Sequence, residues 1–374
     1  MLSNFREDKQ LSMLRFGGML NSAPLKNLRF EIEEFYPQPL FSRFSLSKSW
    51  KKWSAYLDKY LIFPKRIKQK LQNLSKPIDL VHIIDHSNSI YLPQLKKISQ
   101  AKKIITCHDL IAIRTAHGEF PLAPKTSTSG KLLQKWIHHS LSHADHYSCD
   151  SRQTQQDLDR LVPGSALNSS VIHLGTETNS PPTEERGESL ISLPLYPSKT
   201  NYLLHVGSAA WYKNRKAVYN AFRHASEKLP SLDLKLILVG PKPQDGELDT
   251  DLSDWFQSHP NSLISLDNLS ENSLAELYKH AKALVFPSYI EGFGWPPLEA
   301  AVHGCRVITT RTGAISDLLG DYAHYIDAKV QTSIEQAVIQ ALQFSCKKNV
   351  PIRLPSHDDC RKRYYDLYDQ VIKS

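Results

Sequence analysis

Two glutamates with seven residues between them, Glu291 and Glu299, flank a glycine-rich turn inside Ala283–Thr309, ALVFPSYIEGFGWPPLEAAVHGCRVIT. The stretch reads as strand, loop, helix and strand. The first strand ends near Pro287, and Gly292 and Gly294 follow in the loop, where a missing Cβ lets the backbone approach a ligand. Pro296 and Pro297 suit the first turn of a helix, and Gly304 suits the position that stops it. A glycine loop running into a helix N-terminus offers amide N–H groups and a positive dipole end, which makes an anion site. It stands at the carboxyl end of a parallel strand, where α/β folds bind ligands. A carboxylate beside a bound diphosphate is unfavourable unless it contacts something else, and hydroxyl groups are the natural partners. An anion site between two such carboxylates describes a pocket for a sugar nucleotide. The plainer alternative for Glu299 is an acid placed to complement the helix dipole.

The elements that must hold this turn alternate throughout the chain, β-rich apolar runs with longer helical patterns, as in βαβ units on parallel sheets. In the first half, strands are expected over Leu80–Ile84, Lys103–Cys107, His146–Cys149 and Ser170–His173, and helices over Gln10–Leu20, Trp50–Tyr60, Lys131–Ser142 and Ser151–Leu161. In the second half, strands are expected over Tyr202–Val206, Leu234–Val239, Leu263–Leu266, Ala283–Phe286, Arg306–Thr309 and His324–Ile326. The helices there are Arg215–Glu227, Ser270–His280, Pro297–His303 and Ile315–Leu319. Gly175–Thr200, rich in Pro, Ser, Thr and Gly with acids at its centre, reads as a connector. The expected division is a first domain over residues 1–185, a second over 196–355, and a charged tail helix over 356–374.

Taken whole, EGFGWPPLEA resembles the E-x7-E motif of the large retaining glycosyltransferase family called family 4. YLLHVGSAAWYKNRKAVYNAF, LKLILVG and ISLDNLSENSLAELYKHAKALVFPS are similar to that family's second-domain landmarks, and TCHDL, CDSRQTQQDL and VIHLGTE to those of the first. The likeness covers roughly residues 80–374, and the first eighty residues match weakly. It implies an α/β fold of two Rossmann-like domains facing across a cleft, the GT-B architecture, with the tail helix packing back on the first domain. It implies transfer of a hexose from a UDP- or GDP-linked sugar to a hydroxyl acceptor, a glycan or lipid-linked glycan, with retained anomeric configuration. Domain closure would exclude water. Residue by residue, Glu291 would contact the donor sugar, and Gly292, Phe293 and Gly294 would line the sugar and phosphate. Glu299 would hold the ribose hydroxyls, and Trp295 and Leu298 would shape the pocket and helix start. Lys213 would bind the diphosphate, helped by Arg215, because Tyr212 and Ser208 stand where the family carries further basic residues. His108, beside Asp109, matches a family histidine near the sugar and β-phosphate; its plainer alternative is a satisfied strand-end histidine. The family's Gly-Gly loop near the N-terminus is missing: Met1–Phe5 is left for the opening strand, Gly17 and Gly18 fall inside a helical pattern, and Ser12 is the expected cap of that helix.

No cofactor is implied beyond the sugar nucleotide, and no metal. Asp157-Leu158-Asp159 sits on a helical pattern where residues two apart face different ways, and Asp249-Thr250-Asp251 reads as a polar loop. There is no H-E-x-x-H, G-x-S-x-G or P-loop, and no recognised nucleic-acid-binding motif, so nucleic acid is not an expected partner. Two competing readings share the architecture: a nucleotide-sugar epimerase, and a catalytically silent sugar-nucleotide-binding or scaffold protein. The five cysteines lack C-x-x-C spacing, no apolar run approaches the roughly 18 residues of a membrane span, and the opening residues carry charges. These features point to a cytoplasmic chain. The net charge of +8 arises in the first half, with 26 Lys and Arg against 18 Asp and Glu over residues 1–195 and 20 against 20 beyond. Between Lys48 and Lys70 eight cations face one acid, Asp58, with Trp50, Trp53, Tyr56, Tyr60 and Phe63 interleaved. That mixture suits peripheral contact with an anionic membrane, and equally a solvated helix whose aromatics pack inward.

Overall fold

A computed structural model describes the chain except residues 9, 23–29, 45–47, 75, 177–196, 245, 344–351 and 353. It divides into two compact units. Unit 1 comprises Met1–Pro121, Lys125–Gly175 and His357–Ser374; unit 2 comprises Leu122–Pro124 and Thr176–Ser356. Thr176 opens unit 2 within the expected connector Gly175–Thr200, and residues 177–196, with the expected boundary at 185, lie outside the described residues.

Among its described residues unit 1 is built on four parallel strands in the order β1 (Leu80–Ile83), β2 (Lys102–Cys107), β3 (His146–Cys149) and β4 (Ser169–Val171). Parallel neighbours need crossovers, supplied by the helices Leu92–Ile98, Thr128–Leu141 and Arg152–Leu161. β2 is buried along nearly its whole length because its IIT run must pack on both faces. Instead of a full opening strand, the N-terminus adds a bridge. The Leu2 amide donates to the His82 carbonyl at 2.7 Å, and the Ile84 amide returns to Leu2 at 3.1 Å. The helix expected from Gln10 runs Leu11–Asn21 with Gln10 as its cap, so Ser12 lies inside it and caps nothing. The tail helix, His357–Lys373, lays tyrosines into this unit. The Tyr364 hydroxyl meets Ser148 Oγ at 2.9 Å and Thr106 Oγ1 at 3.2 Å, and the Tyr368 hydroxyl meets His82 Nδ1 at 2.7 Å. Hydroxyls paired in this way make the burial of such large rings favourable.

Among its described residues unit 2 carries six parallel strands: β5 (Tyr202–Val206), β6 (Lys235–Val239), β7 (Leu263–Leu266), β8 (Ala283–Phe286), β9 (Val307–Thr309) and β10 (His324–Tyr325). Their spatial order is β7-β6-β5-β8-β9-β10. Chain order runs outward from β5 on one side and resumes at β8 on the other. Rossmann-like sheets bind ligands outside the carboxyl ends of the strands at such a reversal, here β5 and β8. Three elements differ from expectation, the first being the helix Gln331–Gln343, for which no pattern was read. Asp249 caps the helix Thr250–Ser258, its side chain accepting from the Leu252 amide at 3.0 Å, so Asp249–Asp251 is a helix start rather than a loop. The helix expected from Pro297 begins at Trp295, with Gly294 as its cap.

Candidate functional site

Three loops of unit 2 converge at the carboxyl edge of its sheet. The loop after β5 carries Gly207 to Asn214, and the loop after β8 carries Pro287 to Gly294. They are tied where the Tyr289 amide donates to the Tyr212 carbonyl at 2.8 Å and Trp211 stacks on Tyr289. The loop after β9 closes the set: Thr312 Oγ1 accepts from the Glu291 amide at 2.9 Å, and the Ala314 amide donates to the Phe293 carbonyl at 3.2 Å. Gly313, at φ 60°, lies so close that a Cβ there would stand 2.8 Å from the Gly292 carbonyl oxygen. The sequence gives no periodic signal for Thr312 or Gly313, because only the sheet order brings β9 beside β8.

At the centre, Lys213 Nζ donates to both carboxylate oxygens of Glu291, at 2.8 and 3.0 Å, with the two side chains 12% and 8% exposed. The ammonium also lies 4.9 Å from the centre of the Phe286 ring. Asn214, at φ 53°, turns the chain from the Trp211–Lys213 turn into the helix Arg215–Lys228 and so aims Lys213 back over the sheet. A second group emerges that sequence reading missed. His205 on β5 is buried, and its Nδ1 lies 2.9 Å from the Val285 carbonyl, so Nδ1 carries the proton. Its Nε2 has no hydrogen-bond partner among the described residues. A Cβ on Gly207 would lie 3.6 Å from both that nitrogen and Lys213 Cδ. Burial lowers the His205 pKa to about 4, against the raising effect of the Val285 carbonyl and reinforced by Arg215 and Lys213. The ring beneath the lysine is therefore neutral near pH 7.

The remaining expected residues divide. Phe293 and Trp295 meet edge to face at 5.3 Å beside the turn, and Gly294, at φ 92°, presses against Ile315. Pro296 and Pro297 occupy the second and third helical positions and carry no N–H, so the first turn retains the Trp295 amide and the dipole but loses two donors. The Leu298 side chain is fully buried, and helical geometry pairs its amide with the backbone. Glu299 accepts from the Tyr278 hydroxyl at 3.1 Å. Arg215 is engaged within unit 2. Its Nε and Nη2 donate to the Tyr219 hydroxyl at 3.2 and 2.9 Å, Nη2 lies 3.5 Å from Glu247, and the guanidinium is buried. These contacts tie it to its own helix and to Glu247, while its Nη1, also buried, has no hydrogen-bond partner among the described residues.

His108 and Asp109 belong to unit 1. His108 Nδ1 lies 2.6 Å from Asp150 Oδ2, and Nε2 lies 2.8 Å from the Ile84 carbonyl, so both ring nitrogens are committed within the unit. Burial alone would lower its pKa, but the Asp150 carboxylate and its hydrogen bond, then Asp85 and the Ile84 carbonyl, outweigh it and raise the value to about 9. Asp109 accepts from the Ile111 amide at 3.0 Å. The two D-x-D candidates are engaged locally. Asp157 pairs with Arg114 at 2.6 Å, Asp159 accepts from the amides of Gly164 and Ala166, and Asp251 pairs with Arg223.

Residues 194–351 match the family model described as glycosyl transferases group 1. The chain is 26% identical over 245 residues to the serotype-specific mannosyltransferase WbdA of Escherichia coli, which covers 62% of this chain and 28% of that protein. It is 30% identical over 146 residues to the O-antigen chain mannosyltransferase RfbU of Salmonella typhimurium, 37% of this chain and 38% of that one. The chain thus spans less than two thirds of the length of these curated relatives. Among solved structures, sucrose-phosphate synthase from Thermosynechococcus elongatus aligns over 98% of this chain and 91% of its own, with TM-score 0.64 and 17% identity. A UDP-forming trehalose-phosphate synthase from Burkholderia xenovorans aligns over 86% and 79%, with TM-score 0.60 and 10% identity. The fold is therefore of the GT-B class, two Rossmann-like α/β domains, and the second unit is similar in sequence to glycosyltransferases. Among the described residues no helix is long and apolar enough to cross a membrane.

Proposed function

We propose that this chain is a retaining hexosyltransferase of the family 4 type, moving a hexose from a nucleoside diphosphate to a hydroxyl of a glycan or lipid-linked glycan. The observation that carries the reading is the Lys213–Glu291 pair at the carboxyl edge of β5 and β8. A sugar nucleotide needs a cation for its diphosphate and a carboxylate for its sugar hydroxyls, and this pair supplies both within one ion pair. Diphosphate oxygens compete for Lys213 and release Glu291 to the sugar. The bond from the anomeric carbon to the diphosphate oxygen breaks, a bond from that carbon to the acceptor oxygen forms, and the acceptor proton leaves with the nucleoside diphosphate. Lys213 and the amides of Gly292 and Gly294 meet the charge growing on the leaving oxygen. Removing one such group costs about 3–4 kcal/mol in the transition state. With these groups assigned to the diphosphate, the reaction is proposed to run without a metal.

Glu299 is assigned to the ribose hydroxyls, and Phe293 and Trp295 to the wall of the pocket. His108 is assigned no proton transfer, because both its nitrogens already face acceptors. The relatives named as mannosyltransferases narrow the proposed hexose to mannose. Incubation with GDP- and UDP-linked hexoses and a panel of glycan and lipid-linked acceptors, read by mass spectrometry and anomeric proton resonances, tests the reading. A product with the donor's anomeric configuration is expected, and Glu291→Ala should lose turnover with its circular dichroism intact. Unchanged transfer by that variant removes the assignment.

A further inference from the structure

We infer that one face of unit 1 docks on an anionic lipid bilayer. The chain runs as the helix Lys48–Leu57, a π turn over Asp58–Ile62 and the helix Phe63–Gln72. Trp50 and Trp53 stand 73% and 68% exposed on the first helix. The helix Thr128–Leu141 exposes Leu132 and Trp136, one turn apart. The rings of Trp53, Tyr56, Tyr60 and Trp136 follow one another at centroid separations of 6.0, 5.5 and 5.8 Å. The rings form one stripe, exposed at Trp53 and Trp136 and half-buried at Tyr56 and Tyr60, so the exposed rings of the two helices are joined rather than isolated, and a patch of this kind marks an interface.

The charge around the stripe selects the partner. Asp58, the one acid between Lys48 and Lys70, is buried, and its carboxylate accepts from the amides of Phe41 and Ser42 and from the Ser42 hydroxyl. Glu7 and Asp8 are already matched by Lys51 at 3.8 Å and Lys59 at 2.8 Å. Lys65, Lys68, Lys131 and Lys135 are exposed, with no ion pair among the described residues; the side chains of Lys48 and Lys52 lie outside them. Tryptophan and tyrosine favour the headgroup level of a bilayer, and lysines reach anionic headgroups on flexible stems. Exposed rings beside lysines free of ion pairs among the described residues, with the nearby acids buried or already paired, fit that surface on both counts.

Vesicle flotation of the full chain tests the inference and reads binding rather than sugar transfer, so its outcome is independent of the reaction proposed above. The protein should float with vesicles of phosphatidylcholine and phosphatidylglycerol at low salt, stay behind with phosphatidylcholine alone, and be released by high salt. The triple variant Lys65→Glu, Lys68→Glu, Lys135→Glu should weaken partition by at least about tenfold. The triple variant Trp50→Ala, Trp53→Ala, Trp136→Ala should do the same and lose the vesicle-induced blue shift of tryptophan fluorescence. The thermal midpoints of both variants, at these exposed positions, check folding. Failure of the unaltered chain to float with anionic vesicles at low salt overturns the inference and leaves the stripe as a protein contact. Undiminished flotation of both folded variants overturns it equally.

Discussion

Lys213 and Glu291 hold each other through two hydrogen bonds while nearly excluded from water, so removing either leaves the other charge buried. Lys213→Ala and Glu291→Ala should each lower the unfolding free energy by about 3 kcal/mol, and the double variant should lose distinctly less than the sum. Urea unfolding of the four proteins measures the coupling; additive losses would show that the pair does not act as one. Both residues were legible in the sequence because a glycine turn between acids and a basic loop after a strand are local patterns. His205 and Thr312 were not, since each is an ordinary strand or loop residue until β5, β8 and β9 are set side by side. The commitment of Arg215 did leave a trace: Tyr219 lies four residues on, one helical turn away, and it is the hydroxyl that takes the guanidinium.

At the scale of the elements, the loops are held by glycines that have no room for a side chain. A Cβ on Gly294 would fall 2.5 Å from Ile315 Cγ1, and one on Gly313 2.8 Å from a backbone oxygen, both at positive φ. Gly313→Ala should therefore destabilise by about 1–3 kcal/mol. Gly18, exposed in the helix Leu11–Asn21 with open space around it, is the contrast: Gly18→Ala should stabilise by about 0.5–1 kcal/mol. Thermal midpoints moving in opposite directions check the pair of predictions, and a shared direction would contradict them. Most strands and helices could be read from apolar periodicity, and Gly304 was legible as a helix stop, found at φ 70° just past Val302. The helices Leu92–Ile98 and Gln331–Gln343 were not read, and the helix start at Trp295 was placed two residues late. A proline pair marks a first turn without saying which residue opens it, and here the cap is a glycine with no side chain to signal it.

Across the whole molecule, buried histidines set opposing pH limits. Burial holds His82 at about 3 and His205 at about 4, below the 6.5 of an unfolded imidazole, so the unfolded chain binds protons first as pH falls. Stability should drop as pH decreases from about 6.5 towards 4. His108 is raised to about 9 in spite of its burial, chiefly by Asp150, so its contribution is complete below about 6.5 and is lost as pH rises through 9. Urea midpoints between pH 4.5 and 9.5 should describe a maximum near neutrality, and His108→Gln should flatten the alkaline limb alone. The sequence showed two α/β halves and a tail helix. The tail's anchorage, through Tyr364 and Tyr368 to Thr106, Ser148 and His82, depends on contacts more than 200 residues apart that no local pattern encodes.

The central claim is that Lys213 and Glu291 exchange each other for the diphosphate and sugar of a donor. Calorimetric titration of GDP and UDP, and of the matching hexose conjugates, into the unaltered chain and into Lys213→Ala and Glu291→Ala is the most direct measurement. One nucleotide should bind the unaltered chain and bind Lys213→Ala at least about tenfold more weakly. Glu291→Ala should keep the bare nucleotide while losing the extra affinity conferred by the sugar. Equal binding of nucleotide by all three proteins, or no binding by any, would contradict the account.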